Sequence, residues 1–142
     1  MVNFAVGIIL LLMQLSGPGA GLPQVMEPNY SEKSIPAGEK GKVKVSFDVK
    51  EGYAINRIPP IQLKLKGVEG LTLTETSLIS SSEDPKSTDE YYVNVPTFDV
   101  VVMASKVGTY EIPTTLVYFF CSKADGFCSR QVVNTAVKVS VH

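Results

Sequence analysis

The sequence contains two cysteines, Cys121 and Cys128, with six residues between them. An apolar, aromatic run from Leu116 to Phe120 precedes the first, a polar stretch separates the two, and a segment rich in β-branched residues follows the second. This layout predicts a β-hairpin whose strands carry one cysteine each, facing one another. Such a pair can be a structural disulfide or a redox-active one, and the predicted function depends mainly on which of the two it is.

The composition excludes several kinds of chemistry. The single histidine, His142, is the last residue, so hydrolysis by a Ser-His-Asp site, Cys-His proteolysis and most zinc chemistry are not expected. The formal net charge is −1 and no basic stripe is present, so nucleic acid is not an expected partner. We predict no cofactor and no metal site.

Stability alone is a modest reason for this disulfide. Closing such a short loop contributes roughly 2–3 kcal/mol by chain-entropy arithmetic, less than a long-range bridge. A chain of 142 residues can also bury a core without a covalent link. Most extracellular disulfides are nevertheless structural, so both interpretations stay open from these features.

The residues around the cysteines suit an accessible site. Polar and turn-forming residues between them predict an exposed turn, in which Gly126 can supply a positive φ. Lys123 and Arg130 would favour a thiolate, and Asp125 would oppose it. Phe127 is a candidate contact surface, although an aromatic side chain in a hairpin more often packs.

The chain divides into three predicted parts. Residues 1–21 contain an apolar core followed by small residues, which predicts a signal peptide or, if uncleaved, a membrane anchor. Residues 22–40 are predicted as a linker or a loose first edge, and residues 41–142 as one immunoglobulin-like domain. Export to the periplasm or another oxidising compartment would allow a disulfide to persist.

Alternating apolar and polar residues indicate the fold class. Strand patterns separated by turn signals occur at residues 42–50, 61–65, 97–103, 110–120 and 131–141. No window has helical periodicity with caps. The sequence therefore predicts an all-β, immunoglobulin-like antiparallel β-sandwich with a cysteine-bearing hairpin.

The segment Phe120–Cys128 resembles the redox hairpin of the amino-terminal periplasmic domain of the DsbD family of thiol–disulfide interchange proteins. That family has a cysteine, an Ala-Asp-like stretch and then Gly-Phe-Cys. Upstream, Asp89–Tyr92 resembles part of the cap loop that shields the family's cysteines until a partner docks. Gly52–Asn56 resembles a glycine-aromatic segment after an early strand. The resemblance spans residues 38 to 141.

The resemblance implies a disulfide relay. A thioredoxin-like donor would reduce the Cys121–Cys128 bridge, and the reduced domain would then reduce oxidised periplasmic client proteins, a route that the family links to cytochrome c maturation. Cys128 would be the first nucleophile and Cys121 the resolving cysteine. Because the chain ends at His142, we expect the donor to be a separate protein, and membrane contact only through an uncleaved N-terminal segment.

The resemblance also implies roles for the cap-loop residues. Tyr91 and Tyr92 would cover the sulfur atoms, and Asp89 and Glu90 would lie close enough to influence thiol ionisation. The alternatives are a solvated acidic loop and ordinary packing of the two tyrosines.

Two other functions remain open. The first is a non-enzymatic, immunoglobulin-like binding module whose disulfide only holds a loop. The second is a copper(I) chaperone that uses the two thiolates, a minor option because the sequence has only two cysteines and four methionines.

Overall fold

The computed structural model describes residues 23–31 and 34–142, so the predicted signal peptide at residues 1–21 lies outside the described part. The described residues form the following strands in chain order: β1 (Met26–Tyr30), β2 (Ser34–Ile35), β3 (Lys40–Val49), β4 (Tyr53–Ile55), β5 (Gln62–Leu65), β6 (Leu71–Leu73), β7 (Ser77–Ile79), β8 (Phe98–Ala104), β9 (Gly108–Ser122) and β10 (Cys128–Val141).

The strands form two sheets, which confirms the predicted immunoglobulin-like β-sandwich. One sheet has the order β1-β3-β8-β6, and the other has the order β2-β10-β9-β5-β7, with β4 also paired to β9. All pairs between named strands are antiparallel except β2 with β10. Over residues 23–31 and 34–142 there is no helix, and hence none that could cross a membrane.

Alternation along the strands builds the core between the sheets. In β3, Val43 and Val45 are fully buried while the lysines beside them are exposed. In β9, Ile112, Leu116 and Phe120 are fully buried on the same side. Because side chains in a strand alternate between faces, this spacing of the apolar residues fixes which face of each sheet is buried.

The segment predicted as a linker or loose first edge contains β1 and β2. Strand β1 pairs with β3, and β2 pairs in parallel with the end of β10. The buried hydroxyl of Tyr118 accepts hydrogen bonds from the N–H groups of Val25 (3.2 Å) and Met26 (2.9 Å) and donates to the side-chain oxygen of Gln131. This contact fastens the start of β1 to the other sheet.

We expect Tyr118→Phe to lower the free energy of unfolding by about 1–3 kcal/mol, because the Met26 N–H would lose its buried acceptor. The Val25 N–H would keep Gln131 as an acceptor at 3.0 Å, so the loss should be local to β1. Urea unfolding measures the change. Tyr110→Phe is the control, since the Tyr110 hydroxyl donates to the Lys106 carbonyl at an exposed position. Equal losses of unfolding free energy in the two variants would contradict the stabilising role of the buried Tyr118 hydroxyl.

Tyr118 also predicts a dependence of stability on alkaline pH. Burial, the largest cause, raises the pKa of Tyr118 above its ordinary value of 10.0, and the negative charge of Glu27 acts in the same direction. The neutral phenol is thus favoured in the folded state, and its contribution is fully present below pH 10.0 and is lost as pH rises through the folded pKa. Tyr118→Phe should remove this part of the alkaline loss.

Candidate functional site: the cysteine hairpin and the adjoining loop

The two cysteines lie directly opposite one another in the β9–β10 hairpin and form a disulfide. The Ser122 N–H donates to the Phe127 carbonyl over 2.8 Å, so Cys121 and Cys128 occupy the next, non-hydrogen-bonded position of the ladder. That position brings side chains closest, in agreement with a Cα–Cα distance of 4.0 Å. The predicted hairpin with one cysteine on each strand is confirmed.

The turn between the cysteines is built by its own polar groups. The N–H of Gly126 donates to the Ser122 carbonyl (2.9 Å), and the N–H of Asp125 donates to the Ser122 hydroxyl (3.3 Å). Gly126 has a φ of 75°, the left-handed region that a residue with a Cβ adopts only with strain. These bonds and the long β9–β10 ladder hold the hairpin independently of the sulfur–sulfur bond.

The two cysteines differ in exposure because their strands differ in neighbours. Cys121 lies between β10 and β4, where it pairs with Ala54, and is 5% exposed. Cys128 is exposed, since β2 pairs only with Ser140 and Val141 at the far end of β10. The disulfide therefore joins an exposed cysteine, at a stretch of the β10 edge that no other described strand covers, to a cysteine buried inside the sheet.

Phe127 both packs and remains accessible. Its ring lies edge-on to Phe120, with 6.1 Å between centroids, and it is 39% exposed. Phe120 is fully buried and also contacts Tyr53, at 5.7 Å between centroids. The interior ring of Phe120 thus supports the aromatic surface beside Cys128.

The charged residues near the cysteines are exposed. Lys123, Asp125 and Arg130 all have solvent-exposed side chains. The Lys123 backbone N–H donates to the Gly52 carbonyl (2.9 Å), which ties the hairpin to the turn before β4. Exposed charges act on the sulfur atoms through solvent and are screened by salt.

The predicted cap-loop residues lie along the side of β4 away from β9. The Arg57 N–H donates to the Glu90 carbonyl and the Tyr92 N–H donates to the Ile55 carbonyl, both at 2.9 Å. Tyr91 forms an isolated bridge with Asn56. The segment 89–92 is therefore one short strand away from Cys121, which brings the two predicted parts of the site together.

The two tyrosines face opposite sides of the sheet. Directly opposed residues share a face, so Tyr91 lies on the face of Asn56 and hence of Cys121, outside the core. Tyr92 is buried in the core, and its hydroxyl forms hydrogen bonds with the Ser80 hydroxyl (3.0 Å) and the Ser81 carbonyl (2.5 Å). The packing alternative thus describes Tyr92, and cover of the sulfur atoms stays a prediction for Tyr91.

The acidic residues of the loop are exposed at its surface. The carboxylate of Asp89 accepts hydrogen bonds from the Tyr91 N–H (2.9 Å) and the Ser87 hydroxyl (3.2 Å). Asp89 therefore shapes the loop, and Glu90 contributes its backbone carbonyl to Arg57. Their influence on thiol ionisation stays a prediction.

Asp84 fixes the far side of the loop. Its carboxylate accepts hydrogen bonds from the N–H groups of Val93 (2.8 Å), Asn94 (3.2 Å) and Lys86 (3.1 Å). Burial raises the pKa of Asp84, but these three backbone donors and the charge of Arg57 outweigh it and hold the pKa below the ordinary value of 3.8. The loop is thus anchored at neutral pH by an ionised carboxylate.

Arg57 is a loop-holding residue that sequence reasoning did not identify. Its guanidinium donates through Nε to the Asp89 carbonyl (3.0 Å) and through Nη1 to the Ser82 carbonyl (2.9 Å). Its position immediately after the Gly52–Asn56 segment was the available signal. The contacts themselves join residues 32 and 25 positions apart, so they depend on the fold.

We expect Arg57→Gln to loosen the loop by about 1 kcal/mol, or roughly fivefold faster amide hydrogen exchange, because its hydrogen bonds to two carbonyls are lost. Exchange at residues 81–92 measures the change, while the β9–β10 ladder should keep its protection. Arg130→Gln removes an exposed charge and is the control. Unchanged amide hydrogen exchange at residues 81–92 in Arg57→Gln would contradict this prediction, because the remaining contacts would then hold the loop without Arg57.

Asn56 is the second residue that sequence reasoning did not place in the site. Its side-chain oxygen, Oδ1, lies 3.5 Å from Sγ of Cys121. The alternation of β4 offered a signal, since Ala54 and Asn56 both lie on the face opposite the buried Ile55. The contact requires the register of β4 on β9, which joins residues 65 apart in the sequence.

The surroundings of the cysteine hairpin offer little room for another ligand. Across residues 23–31 and 34–142, no three His, Cys, Asp or Glu side chains lie close enough together to hold a metal ion. A shallow cleft of about 190 Å³ lies next to the site, lined in part by Tyr53, Tyr92, Val93 and Lys123. It is smaller than the usual pocket for a cofactor or drug-sized ligand.

Comparison with known proteins gives no assignment of family. No family model and no curated protein matches the sequence. Among solved structures, the chain is similar to the S-layer protein SbsC domains 4 and 5, with a TM-score of 0.37 and 11% identity over 83% of this chain. The match covers 51% of that structure, and a likeness at this level carries no argument about function. The class defined by fold and site is a β-sandwich with a half-exposed hairpin disulfide.

Proposed function

We propose that the chain is an exported thiol–disulfide exchange domain that passes electrons through the Cys121–Cys128 pair, as its resemblance to the DsbD amino-terminal domain implies. The observation that carries the proposal is the asymmetry of the bridge, with Cys128 exposed at a sheet edge and Cys121 5% exposed. An attacking thiolate needs access to one sulfur, and a protected second sulfur limits unwanted exchange.

The build of the hairpin supports an exchangeable bridge. The turn hydrogen bonds and the ladder from Gly108 to Val141 do not involve the sulfur atoms, so we expect them to remain when the sulfur–sulfur bond breaks. Reduction therefore removes a crosslink over a short loop, a contribution of about 2–3 kcal/mol, without removing the hairpin. A redox cycle requires that both states fold.

The relay has two balanced exchanges. A thiolate of the donor attacks Sγ of Cys128, the donor–Cys128 bond forms, and the electron pair of the broken bridge goes to Cys121. The donor's second thiolate then attacks its own linked sulfur, which releases reduced Cys128 and oxidised donor. In the second exchange, the Cys128 thiolate attacks a client disulfide and the Cys121 thiolate resolves the mixed disulfide, so two electrons reach the client.

The partners follow from this chemistry. The donor is a thioredoxin-like dithiol protein and the clients are oxidised thiol proteins of the periplasm or another exported compartment, in which disulfides persist. The apolar segment from Phe4 to Leu15 supports export. Tyr91, on the outer face with Cys121, acts as the cap of the site, and Phe127 is a contact for the partner.

The reduction potential tests the proposal. Equilibration with glutathione buffers should give a potential above about −300 mV, and a reduced thioredoxin-like protein should reduce the bridge rapidly. The variant with both cysteines replaced by serine should stay folded and lose all exchange. A potential well below that value would instead support a structural bridge in a binding module, for which partner binding would survive removal of both cysteines.

A further inference from the structure

The side chain of Asn56 is the polar group placed against the buried half of the disulfide. Oδ1 of Asn56 lies 3.5 Å from Sγ of Cys121, whereas the exposed half, Cys128, faces solvent. The proximity follows from sheet geometry. Asn56 lies next to Phe119, two positions before Cys121, and diagonal neighbours on one face of a sheet are within reach of each other.

The backbone holds Asn56 from both sides. Its N–H donates to the Phe119 carbonyl (2.9 Å), and on the other side it is bridged to Tyr91. The carboxamide is therefore presented to the sulfur by a fixed stretch of chain, between the cysteine hairpin and the cap loop.

Disulfide exchange produces a charged sulfur at Cys121, which a neighbouring polar group can stabilise. When an attacking nucleophile bonds to Cys128, Cys121 leaves as a thiolate in a position that is 5% exposed. Burial disfavours a charged group unless a partner compensates it. The two ends of a carboxamide have nearly the same size, so half a turn about χ2 replaces Oδ1 by Nδ2 and lets an N–H donate to the sulfur, while Oδ1 can accept from the neutral thiol.

We propose that Asn56 stabilises reduced Cys121, both as leaving thiolate and as thiol, and so sets the rate of bridge opening and the reduction potential. This inference rests on the proposed exchange function. In the step concerned, the bond from the nucleophile to Cys128 forms, the Cys121–Cys128 bond breaks, and the electron pair goes to Cys121, where an Asn56 N–H donates to it. Lys123 and Arg130 are exposed and therefore screened, so they are weaker candidates for this role.

The test uses a small reductant, so that no protein partner is needed. A water-soluble phosphine attacks disulfides and stays nucleophilic in mild acid, and glutathione buffers give the potential. In Asn56→Leu, which replaces the carboxamide by an apolar group, we expect opening to be about tenfold slower and the potential to be about 30 mV lower, the equivalent of a tenfold change. Rate and potential unchanged from the wild type would overturn the proposal.

Asn56→Asp separates charge from shape. The carboxylate should repel the leaving thiolate, so the rate relative to the wild type should be low at neutral pH and should recover as pH falls through about 4, where an aspartate becomes neutral. A ratio that does not change with pH would mean that only shape matters, which would overturn the proposal. The near-identical size of Asp keeps this variant informative if Asn56→Leu packs poorly.

Asn134→Leu is the matched control. Asn134 lies on the same face, pairs with Thr115 and forms a hydrogen bond with its hydroxyl, six positions along β10 from Cys128. It should leave rate and potential unchanged, and a change equal to that of Asn56→Leu would overturn the local role. Failure of the exchange function is distinguishable, because it shows as a wild-type potential below about −300 mV even where Asn56→Leu still differs from wild type.

Discussion

Cys121→Ser should capture a thioredoxin-like donor as a stable mixed disulfide, and Cys128→Ser should capture little of it. In the first variant the remaining sulfur, that of Cys128, stands at the exposed sheet edge, whereas in the second the remaining sulfur lies between two strands. Because exchange requires access to the sulfur, we expect the Cys128 thiol to react about tenfold faster or more. The donor lacks its own resolving cysteine, and its remaining thiol is first converted to a mixed disulfide with a small aromatic thiol. The Cys128 thiolate then attacks the donor sulfur and the aromatic thiolate leaves, so the step needs no further oxidant. Non-reducing electrophoresis measures the yield of the protein–protein disulfide.

The two variants control for one another. Each loses the same bridge, so each should lose the same crosslink stabilisation of about 2–3 kcal/mol. Reaction of each free thiol with a small aromatic disulfide measures access without a protein partner. Capture by Cys128→Ser together with no capture by Cys121→Ser would reverse the assigned roles of the two cysteines.

Phe120→Ala should lower the free energy of unfolding by about 3–5 kcal/mol, the usual cost of truncating a fully buried phenylalanine. Phe120 is 0% exposed and its ring packs against those of Tyr53, Phe127 and Tyr118. The cavity would lie directly beneath the cysteine hairpin, so Phe127 should also lose its support. Urea unfolding of the oxidised protein gives the energy, and side-chain NMR of Phe127 gives the local effect.

Phe119→Ala is the matched control for Phe120→Ala. Phe119 is the preceding residue on the same strand, but it faces outward, opposite Arg130, and is half-buried. Its truncation should leave no enclosed cavity and should cost less. Equal losses in the two variants would mean that the outer face is packed as tightly as the core.

The fold was predictable where apolar residues alternate over a long run. Residues 42–50 and 131–141 show such alternation and form β3 and β10. Residues 22–40, which contain β1 and β2, were predicted only as a linker or a loose first edge, because β1 contains Pro28 and β2 has only two residues. These two strands are held in place by tertiary contacts, such as the hydrogen bond from the Met26 N–H to the Tyr118 hydroxyl. Local propensity cannot reveal such contacts.

Two parts of the site could be predicted from the sequence. One is the hairpin around the cysteines, and the other is the segment 89–92, which the family resemblance identified. The pairing of Cys121 with Cys128 follows from the hairpin pattern. The difference in exposure between them does not, because it depends on which strands lie beside β9 and β10. For the same reason Asn56 and Arg57 were missed, since each acts across strands on residues far away in the chain.

The parallel pairing of β2 with β10 has a consequence for the order of folding. In the described sheets β2 has β10 as its partner, through Ser34 with Ser140 and Ile35 with Val141. During synthesis this pairing cannot form until β10, the last strand, has left the ribosome. Pairings so distant in sequence raise the contact order, which slows folding. A strand that docks after the rate-limiting barrier mainly controls how fast the native state opens. Substitutions at Ile35 should therefore accelerate unfolding while leaving the folding rate nearly unchanged.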